Sequence, residues 1–74
     1  MGSRYPVLTA QDVVRVLKRH GFELVASRGS HQKWRQPVTG KQVIVPYHQG
    51  RDLPIGTIKS IVEGSGVLLE AWRR

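Results

Sequence analysis

Apolar residues recur with a helical period in the first part of the chain. Val13, Val16 and Leu17 are three and four positions apart, and His20 continues the same stripe. The positions between them carry polar and cationic side chains, namely Gln11, Arg15, Lys18 and Arg19. This pattern predicts an amphipathic helix with one face in the core and one basic face in solvent.

Residues typical of helix ends flank this stripe. The Thr9 hydroxyl can accept a hydrogen bond from a free N–H of the first turn, and Asp12 places negative charge at the positive end of the helix. Gly21 can adopt the left-handed conformation that closes a helix, and Phe22 can then pack back on it. The helix is therefore predicted to run from about Thr9 to His20.

The hydrophobic period changes to two after the helix, as in a β-strand. Phe22, Leu24 and Ala26 alternate with Glu23, Val25 and Ser27. Arg28-Gly29-Ser30 then supplies the composition of a tight turn. These residues predict a first strand and a hairpin turn.

A second strand is predicted directly after this turn. His31, Lys33 and Arg35 fall on one of its faces, and Gln32, Trp34 and Gln36 fall on the other. A single aromatic residue opposite a row of cations usually packs under a helix, so Trp34 is interpreted as a core residue rather than as a platform for base stacking.

Turn residues at 37–40 and a β-branched run predict the third strand of a meander. Lys41 to Tyr47 contains Val43-Ile44-Val45, and Pro46 suits the end of a strand because it cannot donate to a ladder. The segment 48–52 is polar and is predicted to be a loop.

A second helix is predicted after Leu53-Pro54, with Ile58, Ile61 and Val62 as its apolar residues. Gly64-Ser65-Gly66 is expected to stop it and to loosen its end. In the tail, Leu68, Leu69 and Trp72 stand at helical spacing, which favours a short terminal helix.

The order α-β-β-β-α predicts the α+β class, with a small three-stranded antiparallel sheet and helices on one of its faces. Residues 1–74 are expected to form a single domain, in which the tail 67–74 is assigned only loosely. Met1-Gly2-Ser3 is set aside because such a sequence can be a remnant of an expression vector.

The chain is short and basic. It has 74 residues, with twelve Lys and Arg against five Asp and Glu, which gives a net charge of +7. A chain of this length buries one modest core and cannot enclose a deep substrate chamber. The positive charge favours a polyanionic partner such as a nucleic acid. Neither cysteine, an apolar run of membrane-spanning length nor a secretory signal is present, so a cytoplasmic protein without membrane contact is expected.

The remaining polar residues disfavour most hydrolytic chemistry. The five carboxylates are scattered, so paired-carboxylate catalysis and a protein-built metal site are not expected. The glycines form neither a Walker loop nor a dinucleotide fingerprint, so no small-molecule cofactor is expected either. Histidines beside cations remain as the candidate chemistry.

A histidine can transfer protons near neutral pH, while Lys and Arg can hold a phosphate and its developing charge. RNA brings its own nucleophile, the 2′-OH. His31 could transfer the protons, and the cations on its strand face and in the flanking turns could hold the RNA. These candidate binding residues are Arg28, Ser30, Lys33, Arg35 and Lys41.

Simpler interpretations apply to each histidine. From the pattern alone, His31 is more simply a solvated strand residue than a catalytic one. His20 suits the last carbonyls of a helix on its core-facing side. His48 follows Pro46-Tyr47 in a loop, and a local structural role and a supporting role in the site are equally open for it.

In order and spacing, these segments resemble the HicA family of toxin–antitoxin ribonucleases, also known as YcfA-like proteins. The resemblance rests on Gly21-Phe22, Gly29-Ser30-His31, Val45-Pro46-Tyr47-His48, and Leu53 with Gly56-Thr57-Ile58 and Ile61. It implies a fold like that of double-stranded-RNA-binding domains, cleavage of mRNA, and neutralisation by an antitoxin of the HicB family. It also implies that the family's catalytic histidine is His31, and that its Pro-x-His element is Pro46 and His48.

These observations together predict a toxin that cleaves mRNA without a metal ion, with His31 as the catalytic residue. The alternative is a non-catalytic RNA-binding module that uses the same basic surface. A subunit that only binds other proteins is a third class.

Overall fold

A computed structural model describes residues 5–73 of the chain. Its elements are α1 (Ala10–Arg19), β1 (Glu23–Arg28), β2 (His31–Arg35), β3 (Gln42–Pro46), α2 (Ile55–Ser65) and a final 3₁₀ helix (Leu69–Trp72). The predicted α+β class and the α-β-β-β-α order are confirmed. The interpretation of Met1-Gly2-Ser3 concerns residues outside the described part, and the single domain over 1–74 stays a prediction.

Helix α1 begins and ends where its capping residues predict. The Thr9 hydroxyl accepts from the backbone N–H of Asp12 at 3.2 Å, and the Thr9 N–H donates to the Asp12 carboxylate at 3.0 Å. This reciprocal capping box satisfies backbone donors that the first turn leaves free. At the other end, Gly21 has a φ of +82°, and the N–H of Phe22 donates to the carbonyl of Leu17 at 2.9 Å.

His20 caps α1 but does not face the core. Its side chain is exposed, which corrects the core-facing position expected from the stripe. Its Nδ1 donates to the carbonyl of Val16 at 3.0 Å, as expected for a histidine at a helix C-terminus.

The three strands form one antiparallel sheet in the order β1-β2-β3. Trp34, Val43 and Val45 are buried on one face, where α1 and α2 pack against β3. We call this the inner face, and the opposite, solvent-facing side the outer face. Side chains alternate between the two along β2 and β3, so the predicted division of β2 into a cationic and a core face is confirmed.

Strand β1 departs from the predicted alternation. All six of its residues are exposed, and a β-bulge shifts its pairing with β2 between Leu24 and Ala26. Leu24 pairs with Trp34 on the inner side, whereas Ala26 pairs with Lys33 on the outer side. The expectation that Leu24 and Ala26 share a face is therefore wrong, because the bulge inserts one residue and reverses the parity.

Helix α2 continues through Gly64 and Ser65. A Cβ on Gly64 would lie 3.3 Å from a methyl group of Val43, so this glycine lets the helix approach β3 closely. Only Gly66, with a φ of +73°, ends the helix. The predicted stop within Gly64-Ser65-Gly66 is thus confirmed at Gly66, and α2 extends to Ser65.

The tail forms a 3₁₀ helix rather than an α-helix, and it contributes one large core residue. Trp72 is 1% exposed, and its indole N–H donates to the carbonyl of Val67 at 3.4 Å. Leu68 is 76% exposed, so the predicted apolar stripe of the tail is only partly buried.

Candidate nucleic-acid interface

The outer face of the sheet carries a row of basic side chains along its central strand. His31, Lys33 and Arg35 alternate on β2, which places neighbouring members about 6.7 Å apart along the strand. His31 and Lys33 are exposed, and Arg35 is half-buried. The sequence prediction of one shared face for these three residues is confirmed.

Cross-strand pairing determines which residues flank this row. His31 lies between Arg28 on β1 and Pro46 on β3. Lys33 lies between Ala26 and Ile44, and Arg35 lies between Glu23 and Gln42. Arg28 is thus directly opposite His31 across the hairpin, at the Cα separation typical of opposed residues in an antiparallel ladder.

A tight turn between β1 and β2 produces the pairing of Arg28 with His31. Only Gly29 and Ser30 separate the two residues, and Gly29 has a φ of +59°. A glycine with positive φ at the first central position is typical of a type II′ hairpin turn, whose twist matches that of the flanking strands. Ser30 is half-buried in this turn, beside His31.

The charges of the outer face are not neutralised within the described part of the chain. None of Arg28, Lys33 and Arg35 forms an ion pair with a described carboxylate. Glu23 is paired with Arg35 in register, at the end of the face remote from His31. Cations without an internal partner are available to phosphate oxygens.

The imidazole ring of His31 is available to a ligand. Within residues 5–73, no hydrogen bond holds its imidazole ring, and the residue is exposed. Both ring nitrogens can therefore meet a ligand. An exposed imidazole next to an arginine fits proton transfer at a phosphodiester better than it fits a packing role.

His48 lies at the same end of the sheet as His31. The N–H of Tyr47 donates to the carbonyl of Ser30 at 2.6 Å, which continues the pairing of β3 beyond Pro46. His48 follows directly and is exposed. The structure thus brings both elements of the motif pattern, Gly29-Ser30-His31 and Pro46-Tyr47-His48, to one end of the sheet.

Lys41 is not part of this group. Its carbonyl accepts from the N–H of Gln36 at 2.9 Å, five register positions from His31, or about 17 Å along the strand. Its side chain crosses to the helix side of the sheet, where its Cε lies 2.8 Å from the position of a Cβ on Gly66. The structure therefore separates Lys41 from His31 by distance, and from Lys33 and Arg35 by the face of the sheet.

Trp34 is a core residue, as interpreted from the sequence. It is 4% exposed on the inner face, its indole N–H donates to the Gln32 side chain at 3.1 Å, and the Lys18 ammonium lies 5.9 Å from the ring centre. No base can stack on a ring buried in this way. The paired positions of the outer face hold no aromatic residue, so they favour contacts to phosphate and sugar.

The outer face also has an apolar centre, which the sequence pattern does not reveal. Ile44 is 48% exposed and pairs with Lys33. Its alternation with Val43 and Val45 could have placed it on the outer face, but a run of three β-branched residues does not by itself show which of them are buried.

Neither a metal-binding cluster nor a membrane-spanning helix is found in the described part of the chain. Within residues 5–73, no three His, Asp or Glu side chains come together as a metal-binding group. None of the helices in the same range has both the length and the apolar character needed to cross a bilayer.

The sequence matches the model of a known protein family. A family model described as the HicA toxin of bacterial toxin–antitoxin systems matches residues 10–67, which is more than half of the chain. The match spans α1, the whole sheet and α2. None of the curated proteins matches the chain.

Proposed function

Because the chain belongs to the HicA family of toxins from bacterial toxin–antitoxin systems, we propose that it is an endoribonuclease that cleaves mRNA in the cytoplasm. Its partner within such a system is a cognate antitoxin of the HicB type. The reaction needs neither a metal ion nor a small-molecule cofactor. His31 is the catalytic residue, and the cations beside it hold the RNA backbone.

The position of His31 carries this proposal. The residue is exposed, its ring has no hydrogen-bond partner among the described residues, and it lies opposite Arg28 at one end of a cationic row. A histidine whose role was structural would be expected to pack or to form a hydrogen bond. The arrangement instead combines a proton-transfer group with charge stabilisation of the kind that a pentacoordinate phosphate needs.

The proposed reaction uses the 2′-OH of RNA as the nucleophile. The 2′-oxygen loses its proton and attacks the adjacent phosphorus, and the bond from phosphorus to the 5′-oxygen breaks. The 5′-oxygen leaves with a proton, so the products are a 2′,3′-cyclic phosphate and a 5′-OH. His31 assists one of these two proton transfers, and Arg28 and Lys33 stabilise the charge on the phosphoryl oxygens.

His48 is the candidate for the other proton transfer. It is exposed at the same end of the sheet as His31. General acid–base catalysis of this transesterification is most effective when one group accepts a proton while a second one donates. This assignment gives the Pro46-x-His48 element a chemical role rather than a local structural one.

A non-catalytic RNA-binding module is the second candidate. It is favoured by the cations of the outer face, which form no ion pair with any carboxylate in residues 5–73, because phosphate contacts alone supply most of the affinity of non-specific binding. The two candidates agree on where RNA binds and differ on whether it is cut.

The test compares wild-type protein, His31→Ala and His20→Ala on a long single-stranded RNA. His20 is also exposed, but it lies at the end of α1, away from the outer face, so it is a matched control for the loss of an imidazole. We expect fragments with wild type and His20→Ala, and a rate at least about 100-fold lower with His31→Ala, because a general acid–base group contributes roughly 10²–10⁴-fold.

RNA retention by His31→Ala, measured in the same buffer, shows whether the binding surface is intact. Cleavage by His31→Ala at the wild-type rate, with an unchanged circular dichroism spectrum, contradicts the catalytic assignment. RNA retention without cleavage by wild type favours the binding module. Absence of both activities favours a subunit that only binds protein.

A further inference from the structure

We propose that a cleft beside His31 binds one nucleotide of the RNA and selects the site of cleavage. The cleft has a volume of about 310 Å³ and lies between the end of β3 and the first turn of α2. Its polar residues are His48, Arg51, Asp52 and Thr57, and its apolar walls include Pro46 and Pro54. The inference rests on the proposed function, since it assigns a substrate subsite to that activity.

The cleft lies next to the strand that carries the candidate catalytic residue. Pro46, which lines the cleft, is the cross-strand partner of His31. Opposed residues in an antiparallel pair have Cα atoms about 4.5–5.5 Å apart. A nucleotide bound in the cleft would therefore place its phosphate next to the His31 end of the outer face.

Backbone hydrogen bonds hold the walls of the cleft in place. The N–H of Arg51 donates to the carbonyl of His48 at 3.2 Å, which closes a turn, and Asp52 forms an isolated bridge with Thr9. The N–H of Leu53 donates to the carbonyl of Leu8 at 2.8 Å. The loop is thus tied to the segment before α1, and a pre-formed site discriminates between ligands at lower entropic cost than a mobile loop.

The polar groups of the cleft fit a nucleobase better than an isolated phosphate. Arg51 and Thr57 can donate hydrogen bonds, whereas the Asp52 carboxylate accepts them and would repel a bare anion. Base edges present donors and acceptors side by side, and Asp pairs with exocyclic amino groups while Arg pairs with ring nitrogens and carbonyls. Proline walls provide an apolar surface for the base. The outer face, which lacks aromatic residues at its paired positions, offers no comparable means of base selection.

The first test measures binding without cleavage. The four 5′-mononucleotides contain no phosphodiester bond, so they can be titrated into wild-type protein labelled with ¹⁵N. We expect saturable shifts at the amides of Arg51, Asp52 and Thr57, with one base preferred over the others. Arg51→Gln and Thr57→Val should weaken this binding about tenfold each, while Lys59→Gln, a substitution of an exposed cation of α2 outside the cleft, should leave it unchanged.

The second test maps the cleavage sites on one RNA of mixed sequence. Asp52→Asn keeps the shape of the side chain but replaces a carboxylate, which only accepts hydrogen bonds, with an amide, which also donates them. We therefore expect the preferred cleavage sites to change. The total rate should fall by less than about tenfold, because proton transfer by His31 is left intact. Thr57→Val provides an independent variant of nearly equal volume.

Shifts confined to the outer face, or the absence of saturable shifts in the cleft, would overturn the assignment of this subsite. So would identical cleavage maps for wild type, Asp52→Asn and Thr57→Val. Failure of the proposed function has a different signature, since wild-type protein would then leave RNA intact whatever the mononucleotides do.

Discussion

At the scale of single side chains, substitutions of Trp34 and Lys33 should affect different properties, the first stability and the second RNA binding. They are neighbours on β2 but face opposite sides of the sheet. Trp34→Ala removes a buried ring, and we expect it to lower the free energy of unfolding by about 3–5 kcal/mol. Urea denaturation of the wild-type protein and of Trp34→Ala measures this difference. Unchanged stability together with lost RNA binding would instead identify Trp34 as a stacking residue.

Lys33 and Lys41 provide a matched pair for the binding surface. Both are exposed lysines, but Lys33 lies on the outer face and Lys41 packs over Gly66 on the other side of the sheet. We expect Lys33→Gln to weaken RNA binding at low salt and to reduce the log–log salt slope by about 0.7, the value for one lost contact to a single-strand phosphate.

Lys41→Gln removes the same charge and should leave the salt slope close to that of wild type. Filter binding at several salt concentrations compares the three proteins. Equal losses of slope in the two variants would show that net charge rather than the outer face determines binding.

At the scale of elements, two glycines at opposite ends of α2 predict opposite effects of the same substitution to alanine. Gly66 has a φ of +73°, so Gly66→Ala should destabilise the protein by about 1–2 kcal/mol. Gly56 lies in the first turn with open space around its Cα, so Gly56→Ala should stabilise it by about 0.4–1 kcal/mol through the unfolded state.

Thermal denaturation followed by circular dichroism measures both effects, since 1 kcal/mol shifts the Tm of a domain of this size by roughly 4–8 °C. A stabilising effect of Gly66→Ala would contradict the left-handed C-cap. A loss of stability in Gly56→Ala would show that the first turn of α2 is more crowded than the structure indicates.

The same elements show what the sequence can and cannot predict. Local signals predict two elements correctly. The capping residues Thr9 and Asp12 predict the start of α1, and the period-two pattern predicts β2. The bulge at Leu24 is not local, because it depends on how β1 aligns with β2. Likewise, the sequence suggests that Gly64 ends the helix, whereas its role is to allow close packing against Val43 of β3, a contact between distant parts of the chain.

In the candidate site, too, the features set by local sequence are predictable and those set by tertiary packing are not. The shared face of His31, Lys33 and Arg35 follows from alternation along one strand. The position of Lys41 depends on register with Gln36 and on the packing of its side chain over α2, neither of which the sequence specifies. The cleft of Arg51 and Asp52 depends on the tie between the loop and the segment before α1.

At the scale of the whole molecule, the net charge of +7 predicts how the chain associates with its antitoxin. We expect that partner to present an acidic surface that covers His31, because covering the outer face would block RNA. Electrostatic attraction mainly accelerates association, so the association rate should fall steeply with added salt. Stopped-flow or surface plasmon resonance measurements test this. A rate independent of salt, or a complex that still cleaves RNA, would contradict this mode of inhibition.

The chemistry of the cleaved ends tests the central claim most directly. Wild-type protein is incubated with RNA in excess EDTA, beside an all-DNA strand and a 2′-O-methyl RNA of the same sequence, and the fragments are analysed by mass spectrometry. If the 2′-OH attacks with the help of His31, only the unmodified RNA is cut, and its 5′ fragments end in a 2′,3′-cyclic phosphate or its hydrolysis product. Fragments ending in a free 3′-OH, or activity that EDTA abolishes and Mg²⁺ restores, would contradict this mechanism.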